Sequence, residues 1–249
     1  MAGTSIYSVY RRTARAAAKQ QVVKKTSSVD VDRAREDFAY FCDVVGNKPP
    51  AEHHRQWHKY LCTGESSGCL INIAGPNIDI LAPRGSAKST VLGLFTAWSI
   101  GVHALRRMPL KILYISYTVD VARPKSAAIK RIIEENKIYK EIFPTVKIAK
   151  GINSNEYWSI DWKFAGIRST GEEEFSVCCA GLKGAVTSKR SHLCIIDDAI
   201  KSADDIKNRD IRQAMEDNWN AVIVPTMFEG GRAVCLGTRF RHDDIHNST

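Results

Sequence analysis

The chain has 249 residues, of which 44% are apolar and 25% charged, with a formal net charge of +9. Those proportions are ordinary for a soluble globular protein, and the length suffices for one large domain or two small ones with a sizeable core. No run of about 18 uncharged apolar residues occurs, which excludes a bilayer-spanning helix.

Residues 1–28 hold Arg11, Arg12, Arg15, Lys19, Lys24 and Lys25 and no acid, so most of the charge excess sits there. This opening lacks the apolar stretch of a secretory signal, and its composition leaves a transit peptide open. It reads as a flexible basic arm, suited to nucleic acid or an acidic partner, or simply solvated. Residues 29–249 then form one domain, too modestly charged to be a continuous DNA-coating surface. None of the seven cysteines falls in a C-x-x-C pair. Cys178, Cys179, Cys194 and Cys235 lie in strand-like runs, where a thiol acts as a small apolar side chain. A reducing compartment with no disulfide framework follows.

Taken in order, "VDVDRAREDFAYFCDVVG" has helical spacing, with Asp30 or Asp32 near its start as cap. "AEHHRQWHKYLCTG" predicts a second helix ending at Gly64, and "SSGCLINIAGPN" a turn-bounded strand. From Ile78 strands and helices alternate. "IDILA" is a strand, "KSTVLGLFTAWSIGVHAL" a helix, "LKILYISYT" a strand, and "DVARPKSAAIKRIIEENKIYKEIF" one or two helices. "EYWSI", "DWKFAGIRS" and "EFSVCCAGL" read as extended. "HLCIID" is a strand, "DDIKNRDIRQAMEDNWNAVI" a helix and "GRAVCLGTRF" a last strand. The alternation predicts an α/β fold with a mainly parallel central sheet flanked by helices on both faces. Ligands gather beyond the carboxyl ends of such strands.

"ILAPRGSAKST", residues 80–90, lies at one such end. A phosphate-binding P-loop follows G-x-x-x-x-G-K-[ST] between strand and helix. Lys88 and Ser89 supply its end, but Ala82 and Ala87 occupy the glycine positions, with Gly85 between them. The loop must aim backbone N–H groups at phosphate oxygens from the positive end of a helix dipole. Alanine costs about 1 kcal/mol where φ must be positive and much less elsewhere. Lys88 would contact the β- and γ-phosphates of ATP, Ser89 would offer its hydroxyl to Mg²⁺, and Thr90 would touch a phosphate. Arg84 adds positive charge, and Gly85, Ser86 and Ala87 supply loop backbone. The competing reading is a plain strand–turn–helix with a capping serine.

"SHLCIIDDAIKS" ends an apolar strand with Asp197 and Asp198. Two adjacent carboxylates there are costly without a cation. Asp197 would hold Mg²⁺, and Asp198 would polarise the attacking water. The alternative is helix capping.

Assembled in this order, the motifs resemble the ATPase domain of a tailed-bacteriophage terminase large subunit, from about Lys48 to about Ile245. "HHRQWHKYL", "APRGSAKST", "LYISYTVDVA", "GLKGAVTSKRSHLCIIDDAIKSADD" and "CLGTRFRHDDI" carry the resemblance. It implies a P-loop NTPase fold of the additional-strand type and Mg²⁺-dependent ATP hydrolysis. The activity would drive double-stranded DNA into a prohead in the cytoplasm of an infected bacterium, transiently at the portal vertex. Implied partners are the portal protein, the small terminase subunit and further copies in a homo-oligomeric ring, a pentamer by analogy; no membrane is involved. Arg84 would sense the γ-phosphate, and Gln56 or a nearby side chain would read adenine. Asp198 stands where much of the family has Glu. Lys189 or, preferably, Arg190 would reach a neighbour's nucleotide, and Gly237, Thr238 and Arg239 would couple hydrolysis to movement. The family's C-terminal nuclease has no counterpart before the chain stops at "DDIHNST", so no DNA cutting is expected.

Two rivals remain at this stage: another P-loop DNA motor such as a helicase, and a non-catalytic DNA- or portal-binding module with a degenerate nucleotide site. Weaker signals are a zinc pair at His54 and His58, and a cluster at His242, Asp243, Asp244 and His246. Trp98, Trp158, Trp162 and Trp219 read as core or rim rather than as a base-stacking series.

Overall fold

The computed structural model describes residues 29–47, 49–62, 77–169, 175–182, 184, 189–200 and 207–238. The basic arm, all but the last residue of the strand expected over residues 66–77, Gly64, Arg239 and the His242–His246 cluster lie outside them.

Two helices, α1 (Val31–Glu36) and α2 (Phe38–Gly46), replace the single one expected from helical spacing. The break falls at Asp37, whose extended backbone lets its carboxylate accept from Tyr40 N at 3.1 Å and cap α2. Asp37 thus caps α2, while Asp30 immediately precedes α1 and Asp32, in the first turn of α1, pairs with Arg35. Helix α3 (Glu52–Leu61) follows, then β1 (Ile78–Leu81), α4 (Lys88–Leu105) and β2 (Ile112–Ser116). The next helical stretch is two helices, α5 (Val119–Glu135) and α6 (Lys137–Ile142), parted where Asn136 leaves helical geometry and caps α6 at Tyr139 N.

Strands β3 (Ile148–Asn153), β4 (Tyr157–Ile160), β5 (Val177–Gly181) and β6 (Ser191–Asp197) come next. The periodicity of the sequence missed β3, a half-exposed strand with no apolar run. "DWKFAGIRS" is not extended. Asp161 caps a turn there, accepting from Phe164 N at 2.9 Å, while Ala165 N reaches Asp161 O. Helix α7 (Arg209–Asn218) is capped by Asn208, loosens into a π-helical turn (Trp219–Ile223) and a short 3₁₀ turn (Val224–Thr226), and leads into β7 (Met227–Gly237).

The seven strands form one mixed, mostly parallel sheet in the order β1-β7-β6-β2-β5-β4-β3. Every neighbour pair from β1 to β5 is parallel, and β4 and β3 close the far edge antiparallel. Parallel strands need crossovers and bury both faces. On one face Leu113, Ile115, Cys194, Ile196 and Cys235 pack with Met215, Trp219 and Ile223 from α7 and the π-turn. The alternate residues face α4 and α5, whose Ser89 and Lys125 both bond Asp197. Trp98, Trp158, Trp162 and Trp219 are all buried, as core side chains. The four strand cysteines are buried free thiols.

One glycine sets a close approach near the site. A Cβ on Gly181, at the end of β5, would stand 2.9 Å from Thr118 Cα and 3.1 Å from Val119 N. Its absence lets the N-terminus of α5 settle against the sheet. Among the described residues, no helix is long and apolar enough to cross a membrane.

Candidate functional site

Because β1, β7, β6 and β2 run parallel, their carboxyl ends share one edge of the sheet. That edge carries the loop 82–87, Thr238 just beyond β7, Asp197 and Asp198, and Ser116. The strand order sets the spacing: β7 stands between the strand that feeds the loop and the strand that ends in the aspartates. The join is tight, with Leu81 opposite Gly237 and Ala82 N donating to Gly237 O at 2.9 Å.

The loop resolves the question its two alanines raise. Ala82 is buried and has no positive φ, so alanine is unstrained there. Ala87, immediately before α4, has φ 59° and ψ 28°, inside the left-handed region. Here the chain keeps the backbone shape that glycine favours and bears the strain of a Cβ. Gly85 takes the other positive φ, 83°. Ser86 tightens the turn, its Oγ donating to Pro83 O at 2.7 Å. From α3, His54 braces the loop. Its Nδ1 accepts from Ala51 N at 3.2 Å, so Nε2 carries the proton and donates to Ser86 O at 2.8 Å. With both ring nitrogens engaged, His54 does not share a zinc with His58. Neither ring nitrogen of His58 has a hydrogen-bond partner among the described residues.

Lys88 is buried, yet its ammonium is well served. Nζ donates to Ala82 O at 3.1 Å, Pro83 O at 3.0 Å and Thr238 Oγ1 at 3.0 Å, and lies 3.8 Å from Asp198 Oδ1. Thr238 Oγ1 also lies 3.3 Å from Ala82 O and 3.4 Å from Asp198 Oδ1. It has one proton and two such acceptors, so it can serve only one at a time. This hydroxyl links the loop, the lysine and the second aspartate.

Asp197 is fully buried, and both its carboxylate oxygens are partnered. Oδ1 accepts from Ser89 Oγ at 2.9 Å; Oδ2 accepts from Tyr114 OH at 2.8 Å and pairs with Lys125 Nζ at 2.9 Å. Burial first, then the Asp197 carboxylate, pushes the Tyr114 phenol well above its usual range, so it remains a donor. Asp198 has φ 50°, which turns it away from the strand direction, and its partly exposed carboxylate faces the solvent-open side.

Around these groups lies a cavity of about 600 Å³, within the range of small-molecule sites. Arg84, Gly85, Ala87, Lys88, Ser89, Thr90, Asp198 and Thr238 line it, and so do Tyr117 and Lys125, which sequence reasoning had not singled out. The sequence offers little signal for them, because Lys125 sits well inside a helix and meets Asp197 only through the fold.

Other expected residues stand elsewhere. Gln56 is exposed on α3 and does not line this cavity, while its neighbour His54 touches the loop. Lys189 lies over the Tyr157 ring at 4.6 Å and Arg190 over the Phe228 ring at 5.6 Å. Arg190 precedes β6 and Asp197 ends it, which separates them by roughly 20 Å along the strand. It cannot join this chain's own cavity, and a role would require a second subunit. The described residues contain no group of three or more His, Cys, Asp or Glu side chains able to hold a metal. A Mg²⁺ ion nevertheless fits the oxygen donors Ser89 and Asp197, since that ion commonly takes one or two protein ligands beside substrate phosphates and waters. Comparison with protein-family models and with curated proteins finds no match.

Proposed function

We propose that the chain is an ATP-hydrolysing, DNA-translocating motor domain with a P-loop NTPase fold of the additional-strand type, as its motif order resembles that of a terminase large subunit. The observation that carries the reading is that Lys88 and Ser89 share one cavity with Asp198 and Thr238, with Asp197 bonded to Ser89 just beneath it, although the two groups lie far apart in sequence. The strand between the loop strand and the aspartate strand supports the additional-strand assignment.

Mg²⁺, when bound, would screen phosphate charge and polarise the oxygens it touches. The chain's own residues would do the rest. The start of α4 would present backbone N–H groups to the phosphates. Lys88 would turn from the loop carbonyls toward them, with Arg84 beside it. Ser89 and Asp197 would hold the ion, and Asp198, on the open side, would orient water and accept its proton. Thr238 would then sense the change: once Lys88 leaves, its hydroxyl loses one of three contacts, and β7 carries that signal. Double-stranded DNA would be held through phosphates, so binding would be independent of sequence and weakened by salt. The portal protein, a small terminase subunit and a ring of copies are the partners this function implies.

Nucleotide titration with and without Mg²⁺, followed by turnover, tests the reading. Slow Mg²⁺-dependent hydrolysis is expected, abolished by Lys88→Ala and by Asp197→Ala. Unchanged turnover in both variants would remove the assigned site. Movement along intact duplex, rather than strand separation, distinguishes this motor from a helicase.

A further inference from the structure

The Asp197 side chain has zero exposure, and the only side-chain cation within 4 Å of it among the described residues is Lys125. A buried carboxylate needs such a counter-charge. Lys125 Nζ makes three contacts at this point: Asp197 Oδ2 at 2.9 Å, Asp197 O at 3.1 Å and Ser116 Oγ at 3.2 Å. Its position follows from the fold, since Gly181 admits the start of α5 to the sheet edge. The lysine is not sealed in. Its side chain is 20% exposed and lines the same cavity as Lys88 and Arg84.

The ammonium therefore stands on the carboxylate that would hold Mg²⁺, beside the hydroxyl of Ser89. A metal on Asp197 Oδ1 beside Ser89 and the ammonium on Oδ2 would stand close together on one carboxylate and repel each other. We propose that Lys125 is a displaceable counter-ion: it neutralises Asp197 while the site is empty, yields to the metal, and turns its charge toward the substrate's phosphates. This inference rests on the proposed function and adds a residue to it. Exchange of one cation for another keeps Asp197 compensated throughout, so the buried edge of the sheet is never left with an unpaired charge. It also discourages bare metal from binding without nucleotide, because the metal must compete with a tethered ammonium, whereas a metal–nucleotide complex offers that ammonium a new anion.

The experiment is a Mn²⁺ titration without nucleotide, read by electron paramagnetic resonance, on wild type, Lys125→Met and Lys125→Arg. Lys125→Met is expected to bind Mn²⁺ about tenfold more tightly or better, and Lys125→Arg, which keeps the charge, within about threefold of wild type. Equal or weaker binding by Lys125→Met overturns the inference, as does an arginine variant that behaves like the methionine one. Should Lys125→Met fail to fold, the wild type decides. Its Lys125 ammonium resonance, in protein labelled with ¹⁵N-lysine, should move when Mg·ATP binds, and a signal that stays static with Mg·ATP bound overturns the proposal. Mg·ATP binding by wild type is measured alongside. Its absence defeats the motor reading itself; its presence, with unaltered Mn²⁺ affinity in Lys125→Met, defeats only the role of Lys125.

Discussion

Replacing Ala87 by glycine removes a Cβ from a residue held at φ 59° and ψ 28°, and the effect can be worked from that angle. An L residue in the left-handed region is strained by roughly 1–2 kcal/mol, and glycine relieves this strain. Glycine also widens the unfolded ensemble, which offsets about 0.5–1 kcal/mol. Ala87 is exposed, so little packing is lost. The net is a stabilisation of about 0.5–1 kcal/mol, which for a unit of this size raises the melting temperature by roughly 1–4 °C. The complementary change is Gly85→Ala. At φ 83°, with nothing within 4 Å of the added Cβ, its cost comes from the backbone alone. A loss of about 1 kcal/mol or more is expected. Urea and thermal denaturation without nucleotide measure both. Ala87→Gly melting at or below wild type, or Gly85→Ala melting level with it, would refute the claim that the loop holds these two shapes in solution.

Burial holds His58 down at about 4, and His103 likewise at about 4. The unfolded chain takes up these protons near pH 6.5, so the stability they confer is complete above about pH 6.5 and is lost as pH falls toward 4, on the order of 3 kcal/mol for each; urea midpoints across that range should decline, and His58→Leu should flatten the decline. Arg232 is fully buried in β7 and donates to Leu61 O at 2.9 Å and Tyr60 O at 2.7 Å, tying the end of α3 to the sheet. Arg232→Met strands both carbonyls and should cost about 2–4 kcal/mol by urea denaturation; a loss under about 0.5 kcal/mol would show that water replaces it. Gly181→Ala drives a Cβ into the Thr118 backbone and should cost about 1–3 kcal/mol, with Mg²⁺-dependent nucleotide binding weakened as α5 shifts. Deleting residues 1–28 should weaken binding to duplex DNA at low salt, and equal affinity of the shortened chain would reduce the arm to a tail.

Several elements were legible along the chain because local physics settles them. The apolar runs "IDIL", "ILYIS" and "LCIID" are strands in the structure, and "KSTVLGLFTAWSIGVHAL" is a helix over the whole of its length. Less was legible where tertiary partners decide. β3 has no apolar run and exists because it pairs with β4. Asp37 divided a helix whose spacing looked continuous, and Asn136 made two helices of a stretch that spacing left as one or two, since a side-chain cap there satisfies N–H groups that an unbroken helix would bond internally.

At the candidate site the division is similar. Lys88, Ser89, Asp197 and Asp198 were nameable from spacing alone, because a phosphate loop and an acidic strand end are each local patterns. The sequence did not show that Ser89 and Asp197 touch, that Thr238 stands between Lys88 and Asp198, or that Lys125 reaches Asp197 from within α5. Those contacts depend on strand order and on the depth to which α5 settles. Strand order is a long-range choice, fixed by which apolar faces pack together rather than by any short run of residues. The strand that inserts between the loop strand and the aspartate strand comes last in the described chain. Residue pattern determined which side chains could do chemistry here; only the folded sheet determined which of them meet.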